Sequence, residues 1–267
     1  GCRRAGSRAA AGARRGLFAM KVALLGGTRG IGRAVARRLA EEGDRLFLLG
    51  RDDDELARSA RDLEQRAVAA GHTLEVGHAR CDLAEPGGFG AALDAADEAL
   101  DGFDALVITA ARFATQQALE ADPEEALRVS TVNYANTVAL CEHARPRLLE
   151  RRGVLCVLTS VAGDRGRKPV VIYGASKAGL SAYLEGLDHR HRLEGLGVVD
   201  VRPGFVRTSM TDGLRPPPFA GEPGPVARDV VRALRRRTPV VYTPWIWRWV
   251  MLAIRLLPRF VMRRIGF

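Results

Sequence analysis

Residues 24–39 read LLGGTRGIGRAVARRL. The short apolar run that begins at Lys21 closes on a glycine-rich turn. Gly26, Gly30 and Gly32 stand where that run hands over to a helix expected from about Ile31 to Glu42. Glycines at such a joint let the chain turn sharply and let backbone approach a pyrophosphate, whose charge then rests on the positive end of the helix. Alone, a glycine turn is also an ordinary strand-to-helix corner. The strand–turn–helix order favours dinucleotide binding.

Outward from this turn, strand and helix patterns alternate. RLFLLG (45–50) reads as a second strand, and RDDDELARSARDLEQRAVAAG (51–71) ends it and continues as a helix, with Asp52 and Glu55 at capping-box spacing. TLEVGHARCDL (73–83), FDALVITAA (103–111), GVLCVLTSV (153–161) and GVVDVRPG (197–204) are further strand candidates with helical stretches between them. Short apolar strands separated by helices predict an α/β fold with a parallel, doubly wound sheet in a single domain. No internal repeat interrupts it. The stretch LRPPPFAGEPGP (214–225) is a candidate lid or linker.

With 267 residues and 47% hydrophobic content, the chain can bury a full core. Cys2, Cys81, Cys141 and Cys156 form no CxxC pair and no metal-like cluster, so reduced thiols, no metal and a cytoplasmic setting are expected. No apolar run approaches the roughly 20 residues of a spanning helix. The charge is uneven: five arginines without an acid give residues 1–19 a charge of +5. Residues 228–267 carry +9, which leaves −4 for the middle of a chain whose total is +10. A basic balance confined to the ends speaks against a nucleic-acid-binding core and for a surface contact made by a terminus. Residues 1–19 are expected to lie upstream of the true start or to form a disordered tail. The fold is expected over 20–244, with 245–267 as a C-terminal amphipathic extension.

An Asp or Glu after the second strand would accept hydrogen bonds from the ribose 2′-OH of NAD. Here Gly50-Arg51 stands there, and Arg29 lies within the glycine turn. Two guanidiniums can clamp a 2′-phosphate, which points to NADPH. The alternative for Arg51 is a solvated partner of the acidic run Asp52–Asp54.

The second informative stretch is YGASKAGLSAYLEGL (173–187). Of 41 basic residues only Lys21, Lys168 and Lys177 are lysines. Lys177 falls four residues after Tyr173, on the same helical face. A compact ammonium there can favour the phenolate and bond ribose hydroxyls, which a planar guanidinium does less well. Ser160 ends a buried strand upstream, where its hydroxyl can bond a substrate carbonyl. Singly these are a surface Tyr, a helix decoration and a turn Ser; together, after that glycine turn, they describe a reductase site.

The segments GGTRGIG (26–32), CDL (81–83), VNY (132–134), Ser160, YGASK (173–177) and RPGFVRT (202–208) resemble the classical short-chain dehydrogenase/reductase family over about residues 20 to 210. The resemblance implies a Rossmann-type fold and a catalytic set of Asn133, Ser160, Tyr173 and Lys177. Tyr173 would be the general acid for carbonyl reduction. Lys177 would lower its pKa and hold the nicotinamide ribose, Ser160 would orient the carbonyl, and Asn133 would complete a proton relay. It places Gly26, Thr28, Arg29, Gly30, Ile31 and Gly32 around the cofactor, with Arg51 at its phosphate. Asp82 and Leu83 would flank the adenine, and Pro203, Gly204, Val206 and Thr208 would lie toward the nicotinamide and pyrophosphate end. Asn133 could otherwise be a helix-bending residue. Homodimers or homotetramers are usual for the family. Leu25 departs from the family's Thr, and Ile108-Thr109-Ala110-Ala111 replaces its usual Asn-Asn-Ala-Gly, so altered local geometry is expected beside the cofactor.

The end of the chain, YTPWIWRWVMLAIRLLPRFVMRRIGF (242–267), holds all three tryptophans. Arg248, Arg255 and Arg259 fall on one helical stripe, away from Trp247, Val250, Ile254 and Leu257, and a kink is expected at Pro258. This pattern predicts a helix lying in an anionic membrane interface at the inner face, or else one packed on the fold. With the Tyr173 and Arg202 segments, the tail is similar to one branch of the family, the reductases of a decaprenylphosphoryl 2-keto furanose. That similarity implies a lipid-linked carbonyl substrate. Another lipid-like or quinone carbonyl is the alternative, and an NADP(H)-binding scaffold without turnover is the reading from a different class.

Overall fold

The computed structural model describes residues 19–266. Cys2 and nearly all of the basic N-terminal segment lie outside the described residues. The chain runs β1 (Lys21–Leu25), α1 (Gly30–Glu41), β2 (Arg45–Gly50), α2 (Asp53–Ala69), β3 (Gly77–Arg80), α3 (Phe89–Leu100) and β4 (Ala105–Ile108). There follow α4 (Gln116–Ala121), α5 (Pro123–Ser130), a π-helical turn (Thr131–Asn136), α6 (Thr137–Glu150), β5 (Val154–Leu158) and α7 (Val171–His191). The last elements are β6 (Gly197–Pro203), α8 (Pro223–Arg236), β7 (Val240–Thr243), α9 (Trp247–Leu256) and α10 (Arg259–Arg264).

Seven strands form one parallel sheet in the order β3-β2-β1-β4-β5-β6-β7. The sequence of β1, β4 and β5 is apolar without alternation because both faces of a parallel sheet are covered. Val22 and Leu24 meet Val35 and Leu39 of α1 and Val230 of α8 on one face. Ala23 and Leu25 meet Leu93 of α3, Leu140 of α6 and Leu180 of α7 on the other. The Rossmann-type, single-domain fold is thus confirmed. Strand order reverses between β1 and β4, and sheets of this kind bind ligands beyond the carboxyl ends of the strands at that point. The glycine turn and Thr109 both sit there.

Several local expectations are corrected. Only Gly77–Arg80 of the 73–83 segment is strand. The edge strand β7 was not anticipated: VVYT is four residues between Pro239 and Pro244, too short to show a period, and it pairs with β6 alone. The capping box of α2 is half formed. Asp52 accepts from the Glu55 N–H at 2.9 Å, but the Glu55 carboxylate turns to Arg29 instead. At Pro258 the helix breaks rather than kinks, since Pro258 is extended and N-caps α10.

Candidate active site

The glycine turn is held by close packing. Gly26 has φ +90° and Gly30 φ +52°, a region L side chains rarely adopt. A Cβ on Gly32 would stand 2.1 Å from the Gly26 carbonyl oxygen and 2.3 Å from Thr109 Oγ1, so only glycine fits. Thr109 also answers for the missing asparagines. Its hydroxyl lies 3.0 Å from the Leu25 carbonyl and 3.1 Å from that of Gly26, tying the end of β4 to the turn after β1.

From the segment after β6, Thr208 packs on Gly30, whose Cβ position would lie 3.4 Å from its side chain. Gly204 faces the Trp247 indole, with a Cβ position 2.1 Å from Nε1. Pro203 ends β6, Val206 is buried, and its bridge to Gly221 anchors the 214–225 loop. Asp82 follows β3 and accepts from the Ala84 N–H at 2.9 Å; the Leu83 carbonyl accepts from Asn136 at 2.7 Å. The Thr28 carbonyl accepts from Arg33 Nε at 2.6 Å, and Ile31 packs against the core beside it.

The two candidate phosphate arginines differ. Arg29 is gripped by Glu55, with Nη2 2.7 Å and Nε 2.9 Å from Oε1. Arg51, at the end of β2, is exposed. Asp52 is occupied in capping α2. The sequence reading gave Glu55 only a capping role, and its place at the third position of the helix concealed its reach to Arg29.

The second cluster gathers where β5 ends against α7. Lys177 is buried, and its Nζ donates to the Leu158 carbonyl at 2.9 Å. The same nitrogen lies 5.9 Å from the centroid of the Tyr173 ring. Ser160 is buried just beyond β5, its Oγ accepting from the Ala162 N–H at 3.0 Å. Asn133 sits in the π-helical turn, an interruption often found at functional sites. Its amide clasps the backbone of Arg112 at both the N–H and the carbonyl, each at 2.8 Å, and reaches Ser176 Oγ at 3.5 Å. Ser176 in turn donates to the Tyr173 carbonyl at 2.8 Å. Asn133 is therefore both a bend in the helix and a link to the helix bearing Tyr173. Phe113, not foreseen from sequence, stands edge-on to the Tyr173 ring with centroids 5.2 Å apart.

The electrostatics depart from expectation. Burial pushes the Tyr173 phenol up to about 12, against an opposing pull from the Ser160 hydroxyl. Burial also lowers Lys177 to about 8, opposed by the Asp200 carboxylate. Desolvation disfavours the charged form of each and outweighs the help from Ser160 and from Asp200. The phenol is consequently held protonated at neutral pH. Beneath the site, Arg202 bridges Asp200 at 2.8 Å and Asp164 at 3.0 Å, and Asp164 accepts from Tyr242 at 2.8 Å. The network fixes the segment after Ser160 to β6 and β7.

Of the two readings of the C-terminal helix, packing on the fold is what its inner face does. The face carrying Trp247 and Ile254 is buried against Val161, together with Met251. Of the described residues, no helix is long and apolar enough to cross a membrane. No group of three or more His, Cys, Asp or Glu among the described residues is arranged to hold a metal.

A doubly wound sheet with a glycine turn at its switch point and a Tyr–Lys–Ser cluster opposite defines a dinucleotide-dependent oxidoreductase. The chain belongs to the short chain dehydrogenase family, which it matches over residues 21–218. It is 36% identical over 247 residues to an uncharacterized oxidoreductase of Mycobacterium tuberculosis, covering 92% of this chain and 97% of that one. It is 34% identical to a protein named as a ketoacyl reductase of the granaticin polyketide synthase of Streptomyces violaceoruber, over 75% of this chain and 73% of the other. Among solved structures, a variant of the actinorhodin polyketide ketoreductase with NADPH superposes with a TM-score of 0.72 and 25% identity, over 84% of this chain and 95% of its own. A short-chain dehydrogenase/reductase from Mycobacterium ulcerans superposes with a TM-score of 0.73 at 21% identity, over 83% of this chain and 86% of its own.

Proposed function

We propose that this protein reduces a ketone to a secondary alcohol with NADPH. The observation that carries the reading is the cluster at the end of β5, where the half-buried Tyr173 stands with the buried Ser160 and Lys177, the Lys177 Nζ lying 5.9 Å from the Tyr173 ring centroid and bonded to the Leu158 carbonyl. A reductase needs a proton donor at that point, and the Tyr173 phenol, its pKa raised by desolvation, keeps its proton at neutral pH. The positive-φ glycines, and Gly32 packed too closely on the Gly26 carbonyl for any side chain, fit the tight turn of a dinucleotide site. Gly26, Thr28, Gly30, Ile31 and Gly32 would hold its pyrophosphate, Arg29 and Arg51 its 2′-phosphate, Asp82 and Leu83 its adenine. Pro203, Gly204, Val206 and Thr208 would line the nicotinamide end.

Bound NADPH supplies a hydride to the carbonyl carbon. Tyr173 gives its phenolic proton to the carbonyl oxygen, and Ser160 donates a hydrogen bond to the same atom, favouring the charge that develops there. Lys177 stabilises the phenolate left behind, and Asn133 holds α7 and the Arg112 backbone in place for reprotonation.

The substrate reading favoured by the actinorhodin and granaticin relatives is a polyketide-like ketone. A lipid-borne carbonyl, such as a polyprenyl-phosphate-linked 2-keto sugar, is favoured instead by exposed Val171, Met210 and Phe219 on the segments around Tyr173 and Thr208. A screen following NADPH oxidation with soluble ketones and lipid-linked keto sugars tests both. Absence of oxidation with every ketone, while NADPH binds, would leave a cofactor-binding scaffold.

A further inference from the structure

Helix α9 has three faces. Trp247, Met251 and Ile254 are buried on the domain. On the opposite side Trp249, Leu252 and Leu256, spaced three and four apart, form a second apolar stripe that is 57%, 47% and 76% exposed. Trp245 extends it at 68% and Phe260 at 61% exposure. Arg248 and Arg255 lie between the two stripes, and Arg259, Arg263 and Arg264 follow on α10. No Asp or Glu occurs between 245 and 267. The last arginine paired with an acid among the described residues is Arg235.

Scattered exposed apolar side chains are ordinary, but a continuous stripe marks an interaction surface. We propose that this outer face docks the protein on an anionic lipid bilayer. The tryptophans, leucines and Phe260 enter the interface and the arginines meet the headgroups. Charge selects this occupant: two copies of the chain meeting here would set five unpaired arginines against five. The α9–α10 unit is fastened to the segment after Ser160, since Arg165 donates to the Leu257 carbonyl at 3.0 Å and Lys168 to that of Arg263 at 2.7 Å. Docking would therefore bring the segment between Ser160 and Tyr173 to the lipid surface. This inference goes beyond the reductase reading, because vesicle binding is measured without NADPH or a ketone.

The test is co-sedimentation of the full chain with vesicles of equimolar phosphatidylcholine and phosphatidylglycerol, or of phosphatidylcholine alone. One variant carries Trp249→Ser, Leu252→Ser and Leu256→Ser; a second carries Arg255→Gln, Arg259→Gln and Arg263→Gln. The native chain is expected to prefer the anionic vesicles, and the arginine variant to lose roughly a hundredfold in binding to them. The apolar variant is expected to bind neither. Both should keep NADPH affinity, which reports a folded domain. Failure of the native chain to bind anionic vesicles, or equal binding by native chain and both variants, overturns the proposal. A native dimer that the apolar variant dissociates, without vesicle binding by the native chain, assigns the face to a second copy.

Discussion

Glu55 holds Arg29 through two guanidinium nitrogens, with Nη2 and Nε 2.7 and 2.9 Å from the same carboxylate oxygen. The glutamate thus orients a cation at the mouth of the glycine turn and also competes with any phosphate for it. Arg51 is exposed nearby. Replacing both Arg29 and Arg51 by Ala should lower the NADPH-to-NADH ratio of kcat/KM by at least about thirtyfold, the equivalent of one charge-assisted bond of roughly 2 kcal/mol. Glu55→Gln should raise that ratio by freeing Arg29. An unchanged ratio in the double variant would mean that other residues read the 2′-phosphate.

Tyr173→Phe should cut kcat by at least about a hundredfold, the low end of what a positioned general acid contributes. NADPH affinity, followed by fluorescence titration, should stay near native. Near-normal turnover would remove Tyr173 from the proton-donor role.

Lys177 is lowered to about 8 by burial, facing the Tyr173 ring and the buried Asp200 carboxylate. Below that pH it keeps its ammonium; above it the charge goes. Tyr173, at about 12, stays protonated on both sides. The kcat/KM for ketone reduction, which reports ionisations of the free enzyme, should be level through neutral pH and fall as pH rises past about 8. Lys177→Met should lower the rate and abolish that limb. A profile that rises through this range would contradict the assignment.

Much of this was legible in the residues and some was not. The 24–39 stretch fixed the first strand, turn and helix because glycine chemistry and apolar runs act locally. Tyr173, Lys177 and Ser160 were found by spacing, and the structure brings all three to the end of β5. The side-chain partners of Glu55 and Thr109 escaped notice because they lie in other elements, and sequence spacing carries no record of such distances. Whether the Trp247 face of α9 packs on the fold or meets a membrane stays open in the sequence for a related reason. An amphipathic pattern tells which residues share a stripe, but a helix with two apolar stripes leaves open which of them the domain covers.

Thr109→Val should remove the hydroxyl shared by the Leu25 and Gly26 carbonyls. The expected cost is about 1 kcal/mol of stability, seen in urea unfolding, together with weaker cofactor binding. Gly32→Ala should be more severe, about 1–3 kcal/mol, because its methyl has no room against the Gly26 carbonyl. If Gly32→Ala binds NADPH as tightly as the native chain, the turn is not the pyrophosphate cradle.

All three tryptophans of the chain stand at 245, 247 and 249, and the middle one is buried beside Gly204 while its neighbours face outward. Intrinsic indole emission is consequently a private signal from this one corner of the molecule. Iodide in the buffer should quench the outer two and spare Trp247, so a single spectrum separates a seated helix from a detached one without any label.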